Sequence, residues 1–257
     1  MREGTTPPVK PADRLIVALD VESTERAERF VKTLVSVGVT HFKVGLELFA
    51  SAGPGAVEIV HKHGGRVFLD LKFHDIPNTV GKACQSVVRL GVWMTNLHIQ
   101  GGSAMMRQAL ASVKAEAAKS KREPPILIGV TILTSMAEKD MADLGLRKTL
   151  KDQVLYLAKL AQSAGLNGIV ASAKEAQTIR WACGPEFVIV TPGIRPAPSG
   201  DIFSRPFPMD DQQRTATPSA AVKAGSDYIV VGRPILEAPD PALVARTIIQ
   251  ELEAGSA

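Results

Sequence analysis

The chain has 257 residues, 45% of them hydrophobic and 22% charged, with a formal net charge of +4. That length and apolar content can bury a sizeable core, and the basic residues are scattered rather than clustered with aromatics, so no nucleic-acid partner is expected. No apolar run approaches a membrane span, and the opening Met1-Arg2-Glu3-Gly4-Thr5-Thr6-Pro7-Pro8 lacks the apolar core of a signal peptide; no membrane partner and a cytoplasmic location are expected. Cys84 and Cys183 have no metal-ligand spacing and are expected as buried thiols.

Apolar runs that read as strands begin at Leu15-Ile16-Val17-Ala18-Leu19 and recur over 41–46, 66–69, 94–99, 126–133, 168–171, 187–190 and 228–231. They are nearly continuous rather than alternating, which indicates strands covered on both faces, as in a parallel sheet. Amphipathic stretches lie between them. The first runs from Ser23 to Val37, with Ser23 or Thr24 as N-cap and Gly38 beyond its end. Others span roughly 54–63, 78–90, 103–119, 152–164, 174–182, 218–224 and 240–253. Eight evenly spaced strand and helix units predict a single-domain (β/α)₈ TIM barrel over 14–257, preceded by a tail over 1–13. A doubly wound open sheet is the main rival, disfavoured because no Gly-x-Gly-x-x-Gly turn follows the first strand.

In such a barrel the active site lies at the C-terminal strand ends. Those ends carry Asp20, the tract Asp70-Leu71-Lys72-Phe73-His74-Asp75-Ile76-Pro77-Asn78-Thr79, His98, Thr134-Ser135, Thr191-Pro192-Gly193-Ile194-Arg195 and Gly232-Arg233-Pro234. Lys43 lies within the second strand and is expected to point into the mouth. Strand alternation puts Asp70 and Lys72 on one face and Leu71 and Phe73 on the other, while Pro77 suits a first helical turn and leaves Asp75 on the loop before it. Gly232 permits close backbone approach and Arg233 offers a bidentate cation, so with Arg195 the last two loops read as a phosphate anchor. The segment from Pro196 to Gln213, rich in Pro, Gly, Ser and Asp, reads as a mobile loop able to close over that phosphate.

These motifs resemble orotidine 5′-monophosphate decarboxylases over about positions 14 to 237, through Ala18-Leu19-Asp20, Lys43-Val44-Gly45, the whole 70–79 tract, Leu133-Thr134-Ser135, Thr191-Pro192-Gly193-Ile194-Arg195, Asp211-Gln212 and Val231-Gly232-Arg233-Pro234. The resemblance implies decarboxylation of orotidine 5′-monophosphate to uridine 5′-monophosphate, with no cofactor and no metal. It also implies a homodimer with shared sites, Asp75 and Thr79 being contributed by the partner subunit. Carried over by position, Lys72 protonates C6, Asp70 lies against the substrate carboxylate, and Asp75 and Lys43 complete a charged array. Asp20 and Lys43 then bind the ribose, Thr134 meets the pyrimidine edge, and Arg195, Gln212, Gly232 and Arg233 hold the phosphate. The stretch between Arg195 and Gln212 is several residues longer than in many bacterial members, and Gln212 is chosen over Gln213 because Asp211 precedes it.

Elementary chemistry agrees with the role given to Lys72. An amine flanked by carboxylates stays an ammonium, an acid rather than a nucleophile, whereas a Schiff-base lysine needs the opposite environment. His74 and His98 are expected to be structural or interface groups. Two alternatives remain: a sugar-phosphate barrel using magnesium, and a catalytically silent nucleotide binder. The Ile76-Pro77-Asn78-Thr79 and Thr134-Ser135 motifs disfavour the first, and the array of like charges facing a ligand disfavours the second.

Overall fold

The computed structural model describes residues 10–196 and 215–255. Eight strands, β1 (Leu15–Ala18), β2 (His41–Val44), β3 (Arg66–Phe73), β4 (Met94–His98), β5 (Ile126–Val130), β6 (Gly168–Val170), β7 (Val188–Thr191) and β8 (Tyr228–Val231), pair in parallel in chain order, and β8 closes on β1. The predicted (β/α)₈ barrel is therefore present. The expected loop over 196–213, Pro196 apart, and Gln212 with it lie outside the described residues.

The near-continuous apolar strands are explained by burial on both faces. Within β1, Ile16 and Ala18 point into the barrel with Phe68, Met94, Ile128, Val190 and Val230, while Leu15 and Val17 pack outward against helices. The outward faces divide between two clusters. One joins β1, β2 and β8 to α1 (Thr24–Val35), α3 (Gly55–Lys62) and α11 (Pro241–Ala254). The other joins β4, β5 and β6 to α4 (Pro77–Leu90), α5 (Gly102–Ser120), α7 (Leu150–Ala164) and α8 (Ala173–Cys183). Each fully buried Leu, Ile or Val contributes roughly 1.5–3 kcal/mol, so these two outer layers supply most of the apolar driving force.

Helix boundaries follow their caps. The Ser23 hydroxyl accepts from the Arg26 N–H at 3.3 Å, and Thr149, Ser172, Thr217 and Asp240 cap α7, α8, α9 (Pro218–Lys223) and α11 in the same way. Three short helices were not foreseen: α2 (Leu46–Ala52), α6 (Glu138–Asp143) and α10 (Arg233–Leu236). With seven residues or fewer, none repeats an apolar stripe often enough to register as periodic.

Two strand ends differ from expectation by three residues or more. β5 stops at Val130 instead of running to Leu133, because its ladders to β4 and β6 both end at Val130 and nothing remains to pair with. β3 runs on past Leu69 to Phe73, so the charged tract is itself partly strand. Its ladder to β4 slips there: Leu69 faces Thr95 but Phe73 already faces Leu97, leaving Asp70, Leu71 and Lys72 against Asn96 alone.

The opposite end of the barrel is closed by aromatics. The His41 ring lies 4.2 Å from Trp93, and Trp93 meets Tyr228 edge-on at 5.1 Å. Burial drives the His41 imidazole down to about 4, with Asp13 partly opposing and Arg66 adding to the shift. Cys84 and Cys183 are free and buried, as expected, and burial pushes the Cys84 thiol up to about 12. Among the described residues no helix is long and apolar enough to cross a membrane.

Candidate active site

A cavity of about 270 Å³ opens at the C-terminal ends of the strands. Its floor is apolar, made by Ala18, Phe68, Val130, Val170, Val190 and Val230, and its rim is charged. A flat, partly apolar group can rest on such a floor while its polar edges reach the rim.

The charged side is an alternating row. Lys43 Nζ donates to Asp20 Oδ1 at 2.9 Å and lies 3.5 Å from Asp70 Oδ2; Lys72 Nζ donates to Asp70 Oδ1 at 2.7 Å. Asp70 is only 8% exposed. Burial alone would raise its pKa, but Lys43, Lys72 and the hydrogen bonds from Lys72 and Asn96 outweigh that and hold the carboxyl below its ordinary range. Lys43 behaves in mirror image: burial opposes its charge, and Asp70 and Asp20 more than offset it, so its pKa is raised. Asp70 and Lys43 are therefore both held in their charged forms. Stability does not account for it, since buried ion pairs can often be replaced by apolar residues at no loss.

Lys72 is held in an uncommon conformation. Its φ is +50°, one of only two non-glycine residues with positive φ among those described. The left-handed region costs an ordinary L-residue roughly 1–2 kcal/mol, so the surroundings must enforce it. As expected, Asp70 and Lys72 both face the cavity while Leu71 and Phe73 pack into the outer core. The slipped ladder shows that a regular pleat is not what achieves this.

The facing rim is built from loops. Ile132, Leu133, Thr134 and Ser135 follow β5 and line the cavity, with Thr134 9% exposed. Gly193, at φ +77°, turns the chain after β7 so that Arg195 borders the site, its N–H donating to the Ala216 carbonyl at 2.9 Å. Gly232 follows β8, and a Cβ there would lie 3.4 Å from both Ala18 Cβ and Asp20 Oδ2, a tight fit beside the site. Arg233 comes next, exposed on the rim at the start of α10.

One chain thus brings together Asp20, Lys43, Asp70, Lys72, Thr134, Arg195, Gly232 and Arg233. Asp75 and Thr79 are not among them. Asp75 sits on the loop before α4, its Oδ1 accepting from the Ile76 N–H at 2.6 Å, and Thr79 lies in the first turn of that helix. Both are exposed, and Ile76 beside them is 66% exposed. His74 is also exposed, its ring 5.5 Å from that of half-buried His98. Burial, followed by His74 and Lys72, lowers the His98 pKa, which suits a neutral supporting group. Asn96, not singled out from sequence, touches both Asp70 and Lys72. The available signal was a lone amide at an inward position of the apolar strand Met94-Thr95-Asn96-Leu97-His98. Among the described residues no group of three or more His, Cys, Asp or Glu is disposed to hold a metal ion.

Residues 13–248 match the model of the orotidine 5′-phosphate decarboxylase / HUMPS family. Among individual proteins, the chain is 50% identical over 242 residues to an orotidine 5′-phosphate decarboxylase from Moorella thermoacetica, covering 94% of this chain and 92% of that one. It is 48% identical to the protein of the same name from Trichlorobacter lovleyi, covering 95% and 96% of the two chains. In three dimensions it is similar to the crystal structure of orotidine 5′-phosphate decarboxylase from Lactobacillus acidophilus, with a TM-score of 0.81 at 35% identity over 93% of this chain and 99% of the other. A family match across almost the whole barrel, joined to relatives this similar over more than nine-tenths of their lengths, means that the chain belongs to the orotidine 5′-phosphate decarboxylase / HUMPS family.

Proposed function

We propose that this chain converts orotidine 5′-monophosphate to uridine 5′-monophosphate and carbon dioxide in pyrimidine nucleotide synthesis, and that Lys72 is the proton donor. The observation that carries the reading is the closely spaced Lys43–Asp70–Lys72 row above an apolar floor. The pyrimidine rests on that floor with C6 toward Lys72 and its carboxylate against Asp70. As the bond from C6 to the carboxylate carbon breaks, carbon dioxide leaves and the bonding pair stays on C6. The Lys72 ammonium stabilises that charge and then transfers a proton to C6, leaving a neutral amine that regains its proton from water. Product and substrate differ only by this exchange of carbon dioxide for a proton, so atoms and charge balance without an oxidant, a metal or a cofactor.

The protein's contribution is electrostatic. A fixed ammonium aimed at developing negative charge needs no reorganisation during reaction, which is where preorganised groups act most strongly. Asp70 beside the substrate carboxylate adds repulsion that fades as carbon dioxide departs. Two like charges about 4 Å apart interact by about 4 kcal/mol at an effective dielectric near 20. Binding energy from the phosphate, held by Arg195, Gly232, Arg233 and Gln212, offsets that cost. Asp20 and Lys43 take the ribose hydroxyls and Thr134 the pyrimidine edge.

The same reading assigns Asp75 and Thr79 to the neighbouring site of a homodimer. Their exposure at the rim, next to the exposed Ile76, supports it: a charged tract ending in an uncovered apolar side chain suits an interface. Residues 14–257 then act as one catalytic domain in the cytoplasm. The test is to supply purified protein with orotidine 5′-monophosphate, and separately with sugar phosphates plus magnesium, and follow carbon dioxide release. Release from the nucleotide alone supports the reading, and release only from a sugar phosphate with magnesium overturns it.

A further inference from the structure

The left-handed Lys72 sits where β3 has lost its regular partner. Between the pairs Leu69–Thr95 and Phe73–Leu97, only Asn96 of β4 stands opposite Asp70, Leu71 and Lys72. The backbone of β4 cannot satisfy three residues from one position, and the Asn96 side chain supplies the missing contacts. Its Oδ1 accepts from the Lys72 N–H at 2.8 Å, and its Nδ2 donates to Asp70 Oδ1 at 2.6 Å. The amide orientation is unambiguous, because a backbone N–H can only donate and an ionised carboxylate can only accept. Asn96 is fully buried, and the neighbouring Thr95 hydroxyl ties the Leu69 carbonyl at 2.9 Å just before the slip.

We propose that Asn96 is a positioning residue for decarboxylation: its carboxamide locks the Lys72 backbone and the Asp70 carboxylate into one unit, so that the ammonium is delivered toward C6 at a fixed distance from Asp70. The role rests on the reading of Lys72 as proton donor. It requires a group with a donor and an acceptor on one planar end. Alanine leaves the Lys72 N–H without its acceptor, and an ionised aspartate offers no donor and repels Asp70. A protonated aspartate restores both functions at nearly the same size. The charged or titratable groups around position 96 are Asp70 and Lys72 of β3, Lys43 of β2 on the other oxygen of Asp70, and His98 two residues along β4; the β5 residue opposite is Ile128.

The test compares the parent with Asn96→Ala and Asn96→Asp, measuring kcat, KM and the dissociation constant for uridine 5′-monophosphate between pH 5.5 and 8. A misplacement of about 1 Å costs about a hundredfold in rate, so kcat of Asn96→Ala should fall by about that factor while product binding changes less than about threefold. The ratio of kcat for Asn96→Asp to that of the parent should rise at least about tenfold as the pH falls, since the added carboxyl beside Asp70 takes up a proton. A kcat for Asn96→Ala within about threefold of the parent, or an Asn96→Asp ratio flat with pH, overturns the positioning role. Loss of product binding together with kcat also overturns it, by marking Asn96 as a general packing residue. An inactive parent removes the proposed function and this role with it, whereas an active parent with unaffected variants removes this role alone.

Discussion

Lys72 Nζ donates to Asp70 Oδ1 at 2.7 Å, although only one residue separates them and Lys72 occupies the left-handed region. The pair is a made geometry rather than a chance surface contact. Asp70 is almost fully enclosed, its ionised form maintained by two lysines, and any anionic substrate group entering the cavity meets it. Asp70→Asn removes that repulsion while keeping the shape. The expected outcome is a fall in kcat of about a hundredfold or more, with a KM for orotidine 5′-monophosphate that does not rise. Steady-state kinetics check this, and a raised KM with kcat unchanged would assign Asp70 to binding only.

Asp75 and Thr79 lie outside the cavity of their own chain, so the shared-site dimer predicts complementation. Asp70→Ala and Asp75→Ala proteins should each be inactive, yet after subunit exchange the mixed dimer contains one site with both wild-type carboxylates. Random exchange gives about one quarter of the parental number of intact sites. Activity of the mixture near that fraction is expected, and no recovery after demonstrated exchange would refute the sharing.

Arg233 stands on the rim and its proposed partner is the phosphate. Hydrogen bonds to charged groups contribute about 1.5–3 kcal/mol, so Arg233→Ala should raise KM by about 10- to 100-fold. Inorganic phosphite added with the phosphate-free nucleoside gives a second reading: it should stimulate turnover in the parent much more than in the variant. An unchanged KM would displace the anchor.

His41 gives a pH-dependent stability. It is 3% exposed and its imidazole is depressed from 6.5 to about 4, so the native barrel keeps it neutral where the unfolded chain would protonate it. The unfolded state therefore binds the extra proton as the pH falls from about 6.5 to 4, and stability is lost across that window, by roughly 3 kcal/mol in all. In urea unfolding, the parent should lose stability relative to His41→Phe as the pH drops from 7 to 5. A constant difference between the two would contradict the buried neutral histidine.

Most of the barrel was legible because its strands are apolar on both faces and its longer helices carry a core-facing stripe, the first of them with the recognisable cap Ser23. The short helices α2, α6 and α10 were not, because one or two turns hold no repeat. The ends of β3 and β5 depend on what the neighbouring strands offer, which no local pattern records. For the site, the charged residues were legible by their position at strand ends. Asn96 was not, since its value lies in filling a ladder slip between Leu69 and Phe73 that arises only when β3 and β4 are side by side. Asp75 and Thr79 could be named by resemblance, but they do not line the cavity at the strand ends of their own chain.

The central claim is that the Lys72 ammonium protonates C6 without help from a metal. The most direct measurement follows the absorbance of orotidine 5′-monophosphate with purified parent and Lys72→Ala proteins in excess EDTA, alongside titration of both with uridine 5′-monophosphate. The account predicts full conversion by the parent, loss of at least about a thousandfold in the variant, as befits removal of a general acid that also stabilises charge, and product binding by both. Conversion by Lys72→Ala at a rate near the parent's, or a parent that is silent in EDTA and restored by magnesium, would contradict it.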